Sequence, residues 1–165
     1  MGRDKALLVL EGETLLNRQI RRSSRFFDNI ILLSGPNHYE TSLRQIPDAI
    51  PDAGPLSGLL SALEDTKPGQ EQIAVLPVDV PFISDQTLQL LSSKKSTGQT
   101  DAWVLRNGER IQPLAGVYSR AIASELRVRL ESGHRMVLKF LETLEVAYLD
   151  VGKNELRNIN YPGDF

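Results

Sequence analysis

The sequence predicts a layered α/β domain with a mostly parallel β-sheet, because short apolar runs alternate with amphipathic stretches along the chain. Two of these runs, NIILLS at 29–34 and QIAVLPVD at 72–79, are nearly unbroken and are bounded by glycine or proline, as buried strands often are. The chain has 165 residues, near the usual size of a single hydrophobic core, and no repeat or long linker divides it. We therefore expect one domain over residues 1–165.

The remaining elements follow from local patterns. Apolar spacing predicts a helix at 14–26, and Pro55 and Ser84 suit the starts of two others. The full set of predicted helices is 14–26, 37–45, 55–66, 85–94, 119–132 and 135–143. Further strands are predicted at 100–107, 112–119 and 145–151, with a loop over 46–58 and turns over 157–165.

Composition excludes several classes of protein. The chain contains no cysteine, which rules out disulfides, thiolate metal sites and cysteine nucleophiles. A net charge of -2 argues against a general nucleic-acid binder, although it leaves room for a local phosphate site. No apolar run is long enough to cross a bilayer and no signal peptide is evident, so we expect a cytoplasmic protein with no membrane partner.

One carboxylate stands out at the end of a predicted strand. In LPVDVPF, 76–82, Asp79 lies between two prolines that fix the backbone. Ligands of open α/β sheets bind beyond the carboxyl ends of the strands, and Mg²⁺ prefers one or two carboxylates together with phosphate oxygens. An aspartate that only forms a turn after the strand is the alternative, and this stretch alone does not decide between them.

Two further stretches suit a nucleotide. In IPDAGPLSGL, 50–59, Asp52 and Gly54 precede a predicted helix start, where free N–H groups favour anionic or polar ligands. In the opening GRDKALL, Arg3 and Lys5 are both suited to hold phosphate. Each has a plainer interpretation, namely a turn into the helix and a solvated terminus.

Weaker candidates lie in the second half of the chain. Arg135 follows Gly133 between two predicted helices, where a cation would meet an acidic ligand, and an ordinary turn is the alternative. In the NIN stretch, Asn158 and Asn160 would share one face of an extended segment, unless they only form local hydrogen bonds. No histidine has metal-ligand spacing, and no Ser-His-Asp set is evident.

Taken together and in order, GRDKALL, PDAGPLSGL, PVDVPF and NINYPGDF resemble the molybdenum cofactor guanylyltransferases, the MobA family. The resemblance spans nearly the whole chain and implies a Rossmann-like nucleotidyltransferase fold with helices on both faces of the sheet. It also implies an enzyme that transfers GMP from GTP to molybdopterin, uses Mg²⁺ and releases pyrophosphate. Molybdoenzymes or cofactor-delivery proteins are then candidate partners.

The resemblance also implies roles for individual residues. Lys5 looks like the lysine on the nucleotide phosphates, and Asp79 like the acid that holds Mg²⁺. Asp52, with Gly54 beside it, resembles the acid of the GTP site. Molybdopterin would contact the residues Arg135, Asn158 and Asn160.

The sequence departs from the family pattern at its start. That pattern begins with an apolar strand and a loop of the type LAGGxSxRMGxDK, whereas this sequence begins at Met-Gly. We therefore expect an N-terminally truncated domain without the glycine-rich loop and with weak activity. Two alternatives stay open: another nucleotidyltransferase of the same fold, such as a molybdopterin cytidylyltransferase or a sugar-phosphate enzyme, and a non-catalytic relative that binds a nucleotide or a partner.

Overall fold

The structure, a computed structural model, describes residues 4–95 and 98–161. Its strands are β1 (Val9–Leu10), β2 (Glu13–Thr14), β3 (Ile31–Leu33), β4 (Arg44–Ile46), β5 (Gln72–Val75), β6 (Ala102–Asn107), β7 (Arg110–Ser119) and β8 (Val146–Asp150). Its helices are α1 (Leu15–Ser23), α2 (Pro55–Glu64), α3 (Asp85–Ser93), α4 (Ala123–Glu131) and α5 (Val137–Leu141), with 3₁₀ turns at Lys5–Leu7 and Arg120–Ile122. Within these described ranges no helix has the length and apolar character needed to cross a bilayer.

The central sheet has four strands in the order β5-β7-β6-β8. Strands β5, β6 and β8 run in one direction and β7 runs against them, so only the β6–β8 pairing is parallel. The reason is that β6 and β7 are joined by a two-residue hairpin turn that begins at Gly108, whose φ is 57°. The predicted α/β class is confirmed, and the sheet itself is mixed rather than mostly parallel.

Helices cover both faces of this sheet, as expected. On one face, α2, α4 and α5 enclose a core that includes Val104 and Tyr118. On the other face, α3 packs Leu88 and Leu91 against Val117 of β7. Because neighbouring residues of a strand point to opposite faces, Val117 and Tyr118 contribute to different cores.

The central sheet is separate from a second, smaller sheet. Strands β3 and β4 form a parallel pair, and in the described ranges no ladder of hydrogen bonds joins β3 to β5. Both β3 and β5 instead contact α2. Leu33 of β3 lies against Gly58 of α2. Val75 of β5 packs against the core to which the leucines of α2 belong. We call the boundary between β3 and β5 the seam.

Two predicted elements differ from the structure, and one element of the structure was not predicted. The helix predicted at 37–45 is wrong: this stretch folds back through hydrogen bonds between the Gln45 side chain and the main chain of Tyr39, and then pairs with β3 as β4. The strand predicted at 72–79 ends at Val75, shortly before Pro77, which lacks an N–H donor. The hairpin β1–β2 was not predicted, because strands of two residues are too short to show an alternation of apolar and polar residues. The expectation of an N-terminally truncated domain stays a prediction.

Candidate active site

The candidate site lies at the edge where β5, β6 and β8 end. These three strands run in the same direction, so the segments that follow them emerge together. Asp79 follows β5, and Asn158 follows β8 by a loop. The structure brings these two residues into contact, with Asn158 Nδ2 3.5 Å from Asp79 Oδ2. This is the position where open α/β sheets bind their ligands.

Lys5 completes the centre of the site. Its Nζ lies 3.0 Å from Asp79 Oδ2, and the side chains of Lys5 and Asp79 are 45% and 18% exposed. The predicted basic and acidic residues therefore meet, although they are 74 positions apart in the sequence. The other basic residue predicted there, Arg3, lies outside the described residues.

The segment that carries Lys5 crosses the seam. The Asp4 carboxylate caps the 3₁₀ turn by accepting the N–H of Ala6, and it also accepts hydrogen bonds from Asn37 and Tyr39, which follow β3. The next residue, Lys5, reaches Asp79 on the β5 side. Asp4 thus fixes the direction in which Lys5 projects.

The C-terminal segment is held to Asp79 through its main chain as well. The N–H of Ile159 donates to the Asp79 carbonyl oxygen at 2.8 Å. The Ile159 side chain is fully buried, in a small core with Leu8 and Leu15. Burial of this one residue therefore places Asn158 at the site, whereas Asn160 is exposed.

Asn158 has two partners that the sequence did not indicate. Its Oδ1 accepts one hydrogen bond from Arg110 and one from Gln112, each at 3.0 Å. Both residues lie at the start of β7, the strand that runs against its neighbours, so they emerge at the same sheet edge as Asp79. Only the register of β7 reveals this, and no local sequence signal points to it.

Asp52, Gly54 and Arg135 form a separate group. Arg135 donates to the main-chain carbonyl oxygen of Asp52 at 2.7 Å, and Asp52 has a φ of 56°, which is uncommon for a residue with a side chain. Gly54, with φ 76°, caps the start of α2. In the described ranges no hydrogen bond or ion pair joins this group to Lys5 or Asp79. The predicted roles of these residues toward GTP and molybdopterin stay predictions.

Asp48 is a carboxylate that sequence analysis overlooked. Its oxygens occupy the space beside two glycines, 3.4 Å from where a Cβ on Gly58 would lie and 3.6 Å from the equivalent point on Gly35. Burial raises the pKa of the Asp48 carboxyl, and no described hydrogen bond or ion pair offsets that burial. Hydroxyl groups of Ser57 and Ser61 bind the main chain on either side of it.

Glu155 fastens the loop before Asn158. Its carboxylate accepts hydrogen bonds from the N–H groups of Ser84 and Gly152 and from the Thr87 hydroxyl. Burial acts to raise the pKa of Glu155, but these hydrogen bonds outweigh it, so the pKa lies below its usual value. A carboxyl whose pKa is lowered on folding adds stability above its unfolded pKa, and this stability is lost as the pH falls through the folded pKa.

We expect Glu155→Gln to lower the free energy of unfolding by about 1–3 kcal/mol at pH 7. An amide has only one acceptor oxygen, and its NH₂ group would face the N–H and O–H donors that bind the carboxylate. The difference from the wild-type chain should shrink toward pH 3, where the carboxyl loses its charge. Urea denaturation across this pH range would measure it. Glu125→Gln, a change at an exposed position on α4, serves as the control, and an equal effect from both variants would contradict the role given to Glu155.

The residues present suit a cation whose other ligands come from a substrate. Among the described residues no group of three or more acidic or histidine side chains could hold a metal alone. Asp79 offers a partly exposed carboxylate beside a lysine, and Mg²⁺ commonly binds one carboxylate plus phosphate oxygens and waters. The donor set therefore fits a metal that arrives with a nucleotide.

Comparison with known proteins identifies the family. The sequence profile of the MobA-like NTP transferase domain matches residues 1–146, most of the chain. The chain belongs to this family. MobA-like transferases are enzymes, so the chain is a nucleotidyltransferase, and the resemblance drawn from the four motifs is confirmed.

Relatives and solved structures agree with this assignment. Molybdenum cofactor guanylyltransferase of Pseudomonas syringae pv. syringae is 30% identical, over 98% of this chain and 82% of that protein. A probable molybdenum cofactor guanylyltransferase of Synechococcus elongatus is 31% identical over 100% of this chain and 89% of its own length. The crystal structure of molybdopterin-guanine dinucleotide biosynthesis protein A from Archaeoglobus fulgidus has a TM-score of 0.81 at 24% identity, covering 99% of this chain and 87% of that one.

A second solved structure shares the fold at lower similarity. The manganese complex of Rv0371c from Mycobacterium tuberculosis has a TM-score of 0.71 at 20% identity, over 99% of this chain and 90% of that chain. These solved structures share the fold of the chain, and the names of the two curated relatives associate it with molybdenum cofactor biosynthesis.

Proposed function

We propose that this MobA-like chain transfers GMP from GTP to the molybdopterin form of the molybdenum cofactor and releases pyrophosphate. The observation that carries the proposal is the convergence of Lys5, Asp79 and Asn158 at one edge of the sheet. A cation, an acid and an amide donor are what a reaction between two phosphate-bearing substrates requires. The names of the curated relatives support the choice of substrates.

The reaction needs positioning and charge neutralisation rather than a covalent nucleophile. A phosphate oxygen of the acceptor attacks the α-phosphorus of GTP, a new P–O bond forms, and the bond to the bridging oxygen breaks as pyrophosphate leaves. Lys5 binds phosphate oxygens and offsets their charge. Asp79 would hold Mg²⁺, which when bound adds further positive charge at the phosphates. Asn158 lies beside Asp79, where the acceptor must approach.

We assign recognition of the base to Asp48 in preference to Asp52. Guanine presents an N1–H and an amino group side by side, and a carboxylate accepts both, whereas the same edge of cytosine carries only one donor group. Asp48 is half-buried, and its two carboxylate oxygens lie beside Gly58 and Gly35 without a described hydrogen bond or ion pair, so both stay available as acceptors. Asp52 is exposed, and its described contact is made by the main chain.

The test is transfer with GTP, CTP and UTP in the presence of Mg²⁺ and molybdopterin, followed by pyrophosphate release and mass spectrometry of the product. We expect product from GTP, and we expect Asp48→Asn to reduce the preference for GTP over CTP by about tenfold or more, since one bidentate contact discriminates by about 1–3 kcal/mol. Asp52→Asn is the matched control and should keep the preference.

Two outcomes would contradict the proposal. Product from CTP or UTP in place of GTP, or product formed only when a sugar phosphate replaces molybdopterin as the acceptor, would indicate another transferase of the same fold. Nucleotide binding without any transfer would indicate a non-catalytic relative.

A further inference from the structure

The Asn158 side chain is held in one orientation by residues of another strand. Its Oδ1 accepts from an N–H of Arg110 and from the Nε2 of Gln112, both at 3.0 Å. Arginine carries only donors, so it binds the oxygen of an amide and never its NH₂ group. The charged donor of Arg110 therefore determines which end of the Asn158 amide faces β7.

Fixing the oxygen also fixes the opposite end of the amide. With Oδ1 directed at β7, the Nδ2 hydrogens face Asp79, where Nδ2 lies 3.5 Å from Oδ2. That contact is longer than an ordinary N–H···O hydrogen bond, so Asn158 keeps donor capacity for another acceptor close to Asp79. An oxygen of a phosphate group is such an acceptor.

A bulge in β7 brings the Gln112 side chain within hydrogen-bonding distance of Asn158. Opposite β6, the register jumps between Val104, which pairs with Gly116, and Leu105, which pairs with Gln112. The three residues 113–115 are thus extra on β7 and form a bulge directly after Gln112. The Tyr118 hydroxyl donates to the carbonyl oxygen of Pro113 and holds the bulge in place. Bulges often redirect side chains next to active sites.

We propose that Arg110 and Gln112 are positioning residues that hold the Asn158 amide with its NH₂ group toward Asp79, ready to donate to a phosphate oxygen of the acceptor substrate. This inference rests on the proposed function for the identity of the acceptor. The orientation of the amide itself depends only on the contacts of Arg110, Gln112 and Asn158.

The sharpest variant is Gln112→Glu, which keeps the shape of the side chain but replaces the donor by an oxygen. That oxygen repels Asn158 Oδ1 and competes with it for the Arg110 donor, so both contacts that fix the amide are weakened. We expect the KM for molybdopterin to rise at least tenfold, while GTP affinity and the melting temperature stay within the range of the wild-type chain. Arg110→Lys, which keeps a charged donor, should retain more activity than Arg110→Met.

A double-mutant cycle with Asn158→Ala separates positioning from a merely structural role. If Gln112 acts through Asn158, Gln112→Glu should change transfer by less than about twofold in the Asn158→Ala background. Losses that multiply would overturn the proposal, as would a melting temperature that falls in proportion to the loss of transfer.

A second readout does not depend on transfer. In a ¹H–¹⁵N spectrum, the side-chain NH₂ signals of Asn158, assigned by their loss in Asn158→Ala, should be shifted from those of exposed asparagines and should move in Gln112→Glu. Signals at exposed-asparagine positions that the variant leaves unchanged would overturn the proposal, even if no transfer to molybdopterin is observed. Absence of transfer with the expected spectral change would contradict only the proposed function.

Discussion

Replacing Asp79 by asparagine is expected to lower nucleotidyl transfer by a factor of about 1,000 or more. The substitution keeps the shape of the side chain but removes the charge that pairs with Lys5 and that would hold Mg²⁺. The Asp79 side chain is only 18% exposed, so water screens its charge weakly and the loss of that charge has a large effect. Neutralisation of phosphate charge is the main contribution that this site can make to the reaction.

Two measurements check this expectation. Transfer from GTP gives the rate, and calorimetric titration of GTP with and without Mn²⁺ gives the metal-dependent part of nucleotide binding, which Asp79→Asn should abolish. The matched control is Asp150→Asn, at the end of β8, whose carboxylate forms an exposed ion pair with Arg106. The control should stay within about twofold of the wild-type chain, since exposed ion pairs contribute little. Metal-dependent binding that survives in Asp79→Asn would remove this residue from the metal site.

The largest expected effect on stability comes from Gly116→Ala. A Cβ at position 116 would lie 2.2 Å from the carbonyl oxygen of Trp103 and 3.1 Å from the Cα of Val104, both main-chain atoms of β6. These atoms belong to the centre of the sheet, so they cannot move aside as the end of a flexible side chain can. We expect the free energy of unfolding to fall by about 3 kcal/mol or more, enough to leave much of the chain unfolded.

Thermal and urea denaturation would measure this loss. Gly98→Ala makes the same chemical change at a glycine with no atom within 4 Å of its added Cβ, and it should differ little from the wild-type chain. A Gly116→Ala variant with a normal melting temperature would mean that β6 and β7 are not as close as described. Because Gly116 closes the bulge that follows Gln112, any surviving folded variant should also transfer nucleotide poorly.

Sequence analysis singled out Lys5, Asp79 and Asn158, which the structure brings together, because these residues carry local signals. Asp79 ends an apolar run between prolines, and Lys5 and Asn158 belong to motifs shared with a family. The strands before Asp79 and Asn158 are parallel, which is what an alternation of strands and helices predicts. Their convergence at one sheet edge follows from that arrangement.

The residues that sequence analysis missed depend on register and packing. Arg110 and Gln112 reach Asn158 because β7 runs against its neighbours and carries a bulge, and neither property is visible in apolar periodicity. Asp48 and Asp52 both lie in a PDA triplet, 47–49 and 51–53, and sequence analysis chose Asp52 because a Gly-Pro step and a predicted helix start follow it. Only the packing of the Asp48 side chain beside two glycines distinguishes it.

The seam makes helix α2 a spacer between the residues proposed to recognise the base and the phosphates of one nucleotide. Asp48 follows β4 on one side of the seam, and Asp79 follows β5 on the other, yet no ladder of hydrogen bonds in the described ranges fixes the distance between these strands. Helix α2 contacts β5 and also β3, the strand that pairs with β4, so the side chains that α2 buries contribute to this distance. Given the roles proposed for Asp48 and Asp79, we expect the volume of a buried α2 residue such as Leu59 to affect how these two carboxylates are aligned.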